Sequence, residues 1–181
     1  MKIMLIGSPK ERLNHLGGTV VKKKISKLLN HAGSRNTLVS IEIAGNPNSL
    51  ALVRKILATC SLSLQFSSVF INDIKLAVTE ACTNVIKHAY HHDHAKRFSL
   101  SIEVNEQIFV VKVTYFDSNF NPQEIPTPDL NAINEGGLGV FIMRNIMDDV
   151  VYSVDLSTGT VCLCMAKILG PATSNGGERE D

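Results

Sequence analysis

Tryptophan is absent from this chain of 181 residues, and only 6% of it is aromatic. That argues against the ring platform on which single-stranded nucleic acids stack. No apolar run approaches the roughly 18 residues that a membrane-crossing helix needs. The segment Met1 to Ser8 carries one charge and a few apolar side chains, too short a stretch for the apolar core of a secretion signal. The four cysteines, at positions 60, 82, 162 and 164, lack the paired spacings of a zinc site. In a reducing compartment disulfides are not expected of them either. These absences lead to the expectation of a cytoplasmic protein with no direct contact to nucleic acid or membrane. Cys162 and Cys164 alternate with Val161, Leu163 and Met165, so they share one strand face and read as small core hydrophobes.

What is present is ample apolar material: 44% of the residues are hydrophobic, enough for one domain with a proper core. The net charge of +1 hides an asymmetry. Residues 1–36 hold eight lysines and arginines against Glu11 alone, which leaves an acidic body. Such a body suits a basic partner surface through electrostatic steering. We read 1–36 as a basic N-terminal extension, with Val21, Ile25, Leu28 and Leu29 along one face of a short helix. Residues 37–170 form the domain, and 171–181 a polar, disordered tail.

Within the domain, a strand is expected at Val39–Ile43, followed by a helix from Asn46-Pro47 to about Ala58. A long helix starts at Ser67 or Ser68, and strands cover Phe98–Val104 and Ile108–Tyr115. Gly139–Met147 is helical, and Val150–Val154 with Thr160–Ile168 reads as a closing hairpin. Strands in pairs with helices between them indicate an α+β two-layer sandwich, a mixed sheet covered by helices on one face.

The most informative stretch is Glu80-Ala81-Cys82-Thr83-Asn84-Val85-Ile86-Lys87-His88-Ala89-Tyr90. Helical spacing sets Glu80, Asn84 and His88 in one polar stripe beside the apolar stripe of Ile71, Ile74, Val78, Ala81 and Val85. Taken alone, such a pair also reads as ordinary solvated neighbours four residues apart. His88, His91, His92 and His94 suggest a metal cluster, but imidazoles at a helix C-terminus equally suit its dipole. Downstream, Gly136-Gly137-Leu138-Gly139 opens a second apolar helix, where glycines let backbone N–H groups approach an anion. Between the two lies Phe116-Asp117-Ser118-Asn119-Phe120-Asn121-Pro122, a carboxylate just after an apolar strand.

In this order the three segments resemble the N, G1 and G2 boxes of the histidine-kinase-like (GHKL) ATPase superfamily. Glu-Ala-Cys-Thr-Asn and Gly-Gly-Leu-Gly are similar to the wording of its anti-sigma-factor serine/threonine kinases. The resemblance covers roughly Thr37 to Ile168 and implies the Bergerat ATP-binding fold, with ATP and Mg²⁺. It implies Glu80 as the general base and Asn84 as the Mg²⁺ ligand, with His88 near the site. Asp117 would accept from the adenine amino group, Gly137, Leu138 and Gly139 would wrap the phosphates, and Thr160 would sit near the adenine. Residues 118–135 would form the lid over ATP.

One departure stands out. The family's middle box has a glycine after the aspartate, and here about two residues are missing before Phe120. A shorter turn is expected to pinch the pocket or shift Asp117, with Asn119 standing in for glycine in a left-handed conformation. The implied function is an ATP-dependent protein kinase and anti-sigma factor that sequesters a sigma factor and phosphorylates an anti-anti-sigma STAS protein. Homodimerisation is a further family implication. The alternative is a non-catalytic regulator, with or without bound nucleotide, that only sequesters its partner.

Overall fold

Alternation of side chains builds the strands. In Arg97–Val104 the residues Phe98, Leu100, Ile102 and Val104 are buried while those between them are not. The computed structural model describes residues 3–6, 36–121 and 138–169. The expected N-terminal helix, Gly137, most of the expected lid and the expected polar tail lie outside them. The strands are β1 (Ile3–Ile6), β2 (Asn36–Ala44), β3 (Arg97–Val104), β4 (Ile108–Phe116), β5 (Asp149–Asp155) and β6 (Thr160–Ile168). The helices are α1 (Ser49–Leu64), α2 (Ser68–Asn84) and α3 (Leu138–Ile146), and a π-helical turn, Val85–Ala89, follows α2 directly.

Local chemistry fixes the helix starts. Asn46 turns the chain out of β2 by accepting the Asn48 N–H at 2.9 Å, and α1 begins one residue later. The Ser67 hydroxyl accepts the Phe70 N–H at 3.2 Å and so caps α2. At the far end of α3 the Lys167 ammonium donates to the Ile146 carbonyl, meeting one of the acceptors a helix C-terminus leaves free.

One six-stranded sheet has the order β1-β5-β6-β4-β3-β2, and every pairing in it is antiparallel. This corrects the expected mixed sheet. The crossover through α3 does bring β5 back parallel to β4, but β6 inserts between the two. Their parallel relation therefore never becomes a hydrogen-bonded pair. The extension read as an appendage also contributes to the sheet. Residues Ile3 to Ile6 pair with Asp155 to Tyr152 on the edge of β5, occupying backbone groups an edge strand leaves open.

The main core lies between the sheet and the three helices. Leu57, Ile74, Val78, Met143, Leu100 and Leu163 are all at most 1% exposed. A smaller apolar cluster of Ile108, Val110 and Ala166 occupies the opposite face of the sheet. Cys164 packs there, and Cys162 alternates onto the same side. The two thiols do share a face, but it is not the main core's, which takes Val161, Leu163 and Met165 instead. Burial pushes the Cys82 and Cys164 thiols up to about 12, leaving both un-ionised at neutral pH. Among the described residues no helix is long and apolar enough to cross a membrane.

Leu57→Ala should lower stability by about 2–5 kcal/mol through lost burial and a residual cavity. Ser67→Ala should cost about 1 kcal/mol through the lost cap. Urea denaturation checks both, with a reduced midpoint and an unchanged slope as the expected result.

Candidate active site

The buried stripe of α2, which includes Ile71, Ile74, Val78 and Ala81, clamps this helix to the sheet. Its neighbouring edge presents Glu80 and Asn84 toward the start of α3. The approach is close because Gly139 has no side chain. A Cβ built there would stand 2.9 Å from Glu80 Oε2 and 3.3 Å from Asn84 Oδ1. Two oxygens of hard-donor type thus converge on one spot beside the N-terminus of a nine-residue helix, whose free N–H groups and dipole favour an anion. This donor set fits Mg²⁺ bound through few protein oxygens and a phosphate. Leu138, the first residue of α3, is half exposed.

A cavity of about 600 Å³ opens next to this contact, within the roughly 300–1,000 Å³ range of ligand clefts. Asn84 and His88 line it from the helix side, and Asp117 to Asn121 from the end of β4. Tyr115, Tyr152, Val140 and Lys96 complete its wall. Burial pushes the Tyr152 phenol up to about 12, against the opposing effect of nearby Arg144, and raises Tyr115 as well. Both rings therefore enter the cavity as neutral groups. Near Tyr152, Arg144 keeps Nε and Nη1 buried without a hydrogen-bond partner among the described residues, and burial lowers its pKa.

Asn84, His88 and Asp117 are thus brought to one cavity, with Glu80 and Gly139 meeting at its edge. Thr160 is not in the wall. It pairs with Phe116 in the sheet, and its hydroxyl shares a 2.8 Å hydrogen bond with that of Thr158. The polar stripe is α-helical only as far as Asn84. Beyond it the turn is π, with the Tyr90 N–H reaching back five residues to the Val85 carbonyl at 2.9 Å, a local widening common at functional sites. His88 is exposed, and the chain leaves the turn through His91 and His92 at φ +47° and +63°. No group of three or more His, Cys, Asp or Glu is arranged for a metal ion among the described residues.

The short turn after β4 has a different solution from the one expected. Asn119 is not left-handed; the positive φ angles of described non-glycine residues fall at Gln65, His91 and His92. Instead the Asn119 N–H bonds the Asp117 carboxylate at 3.0 Å, closing the turn with a side chain in place of glycine's backbone freedom. The Asp117 N–H bonds the Gly159 carbonyl at 2.9 Å, tying the turn to the β5–β6 hairpin. Phe120 stacks on Tyr152 at 5.6 Å and meets Tyr115 edge-on at 6.4 Å, and the cavity stays open. Tyr115, Tyr152 and Lys96 were not singled out from the sequence. The tyrosines follow the ordinary strand alternation of core residues, and no local signal marks Lys96.

The histidine kinase-like ATPase domain family matches residues 43–167. Serine-protein kinase RsbW of Bacillus velezensis is 30% identical over 151 residues, covering 79% of this chain and 89% of that protein. RsbW of Listeria innocua is 30% identical over 131 residues, covering 68% and 83%. Among solved structures, the SiaB–SiaC complex from Pseudomonas aeruginosa aligns with a TM-score of 0.56 at 13% identity, over 86% of this chain and 100% of that one. The RsbU and RsbW domains of Rv1364c from Mycobacterium tuberculosis align with a TM-score of 0.51 at 14% identity, over 74% and 34%. Together with the sandwich and its pocket, these matches make the chain a member of the histidine kinase-like ATPase family, in the group that includes the RsbW proteins.

Proposed function

We propose that this protein is an ATP-dependent serine/threonine protein kinase of the cytoplasm that also acts as an anti-sigma factor. It sequesters a sigma factor and phosphorylates an anti-anti-sigma protein of the STAS type. The observation that carries this reading is the convergence of Glu80 Oε2 and Asn84 Oδ1 on the position that Gly139 leaves open. The names of the RsbW relatives support the reaction class.

In this reading Asp117 accepts from the adenine amino group, and Leu138 and Gly139 at the start of α3, with Gly137 before them in the sequence, hold the phosphates. Mg²⁺, bound through Asn84, supplies charge neutralisation on the phosphates. Glu80 takes the proton of the substrate hydroxyl while that oxygen bonds to the γ-phosphorus. The bond from the γ-phosphorus to the β,γ-bridging oxygen breaks, and ADP leaves with the electron pair. Positioning and charge neutralisation dominate such a transfer, so few protein groups suffice.

A second reading, a regulator that sequesters without catalysis, is favoured by one observation. Phe120 of the shortened turn stacks on Tyr152 in the wall where a base would lie. Calorimetry with ATP and ADP separates the two. Micromolar, Mg²⁺-dependent binding that Asn84→Ala abolishes supports the kinase, and a folded protein without nucleotide binding supports the pure sequestering regulator.

Glu80→Gln should lower phosphoryl transfer to the STAS partner by about 10²- to 10⁴-fold with little change in ATP affinity. Single-turnover transfer from labelled ATP reads this out, and unchanged transfer would remove Glu80 as the base. Gly139→Ala should weaken ATP binding at least about tenfold while the fold persists, since the added methyl lands on Glu80 and Asn84. Calorimetry and a thermal melt on the same sample check it.

A further inference from the structure

Tyr90 is 1% exposed, yet its hydroxyl sits where two strands should be bonded to each other. The β3–β4 ladder stops at the pair Ser99–Thr114. Two residues further in the same register, Arg97 would stand against Phe116, and their backbones would exchange the next ladder bonds. In place of that pairing, the Tyr90 hydroxyl donates to the Arg97 carbonyl, and the phenol oxygen faces the Phe116 backbone. The side chain thus acts as a one-atom spacer that keeps the strands apart while satisfying the carbonyl that β3 leaves free.

The ring is held from both sides. A Cβ at Gly45 would come within 2.8 Å of Tyr90 Cδ2, so only glycine leaves room for it there. Across the ring, Lys96 Nζ lies 5.3 Å from its centroid, at cation–π distance. Tyr90 follows the π turn whose helix carries Asn84, and Phe116 precedes Asp117. One side chain therefore joins the helix proposed to hold the metal and phosphates to the strand end proposed to hold the base.

We propose that Tyr90 is a positioning residue that sets Asp117 for the exocyclic amino group of adenine, and so sets the selectivity of the pocket for ATP over nucleotides that lack this amino group. The inference rests on the nucleotide reading of the cavity. Its mechanism is geometric: the bridging hydroxyl splays β4 from β3 at the point where the chain turns to present the carboxylate. Without it, the strands zip together as far as Arg97 and Phe116 or leave the Arg97 carbonyl unsatisfied. Either outcome moves the next residue.

The test is Tyr90→Phe, which keeps the ring and removes only the hydroxyl. In nucleotide-free protein, hydrogen exchange at the Phe116 and Asp117 amides should change about tenfold relative to Val111 and Val113, slower if the strands zip together and faster if the strand end loosens, the scale of one hydrogen bond. By calorimetry, affinity for ATP should fall about tenfold. Affinity for inosine triphosphate, with a carbonyl in place of the amino group, should stay within about twofold, so the ratio of the two collapses. Gly45→Ala, which displaces the ring with its hydroxyl retained, should shift both readouts in the same direction and serves if Tyr90→Phe does not fold. Unchanged exchange, or an unchanged ATP-to-inosine-triphosphate ratio, overturns the proposal even if thermal stability drops. If the wild-type protein binds neither nucleotide, the reading of the cavity fails and the selectivity proposal with it. The exchange measurement then still decides whether the hydroxyl holds the strand end.

Discussion

A carboxylate and a carboxamide on one helix can lie against the first turn of another only where no β-carbon stands between them. The contact of Glu80 and Asn84 with Gly139 is of that kind, and the rest of the pocket is arranged around it. It fixes the distance between α2 and α3, and through Val140 it sets one wall of the cavity. It also brings the positive end of the α3 dipole to the edge of α2 that carries Glu80 and Asn84, acceptors suited to a hard cation. The sheet beneath holds both helices at that distance, through Ile74 and Val78 on one side and Met143 on the other.

The far end of the pocket depends on different physics. There the position of Asp117 follows from a strand that stops short of its full ladder. Three side-chain and backbone bonds replace the missing regularity: Asn119 to the carboxylate, Asp117 to Gly159, and the Tyr90 bridge. A family member that lacks the usual glycine in this turn therefore does not lose the turn. Polar partners take over the task that backbone freedom performs elsewhere.

Much of this was legible in the sequence, because the signals that specify it are short-range. The 3.6-residue spacing of Ile71, Ile74, Val78 and Ala81, the caps at Asn46 and Ser67, and the alternation in Arg97–Val104 act within a few residues. They located the helices and strands, although α1 starts at Ser49 and runs on to Leu64, past the expected end near Ala58. What escaped depends on distant partners. Whether β4 pairs with β5 or β6 is decided by insertion of the hairpin, which no window of sequence contains. Which face Cys162 and Cys164 occupy is set by where the helices pack. Ile3–Ile6 is too short to read as a strand without the β5 edge it binds. The π turn after Asn84 has no local mark, and the contacts of Tyr90 with Gly45 and Arg97 exist only in space. Asn119 shows the opposite error: its left-handed tolerance was real, but a carboxylate two residues back offered its N–H a better use.

The chain has three tyrosines and no tryptophan, and Tyr90, Tyr115 and Tyr152 all stand at or beside the cavity. Its tyrosine emission consequently originates at and beside the pocket. Purine entry would quench that light directly, so occupancy can be followed optically in the unlabelled protein, without the background that fluorophores elsewhere in a molecule usually add.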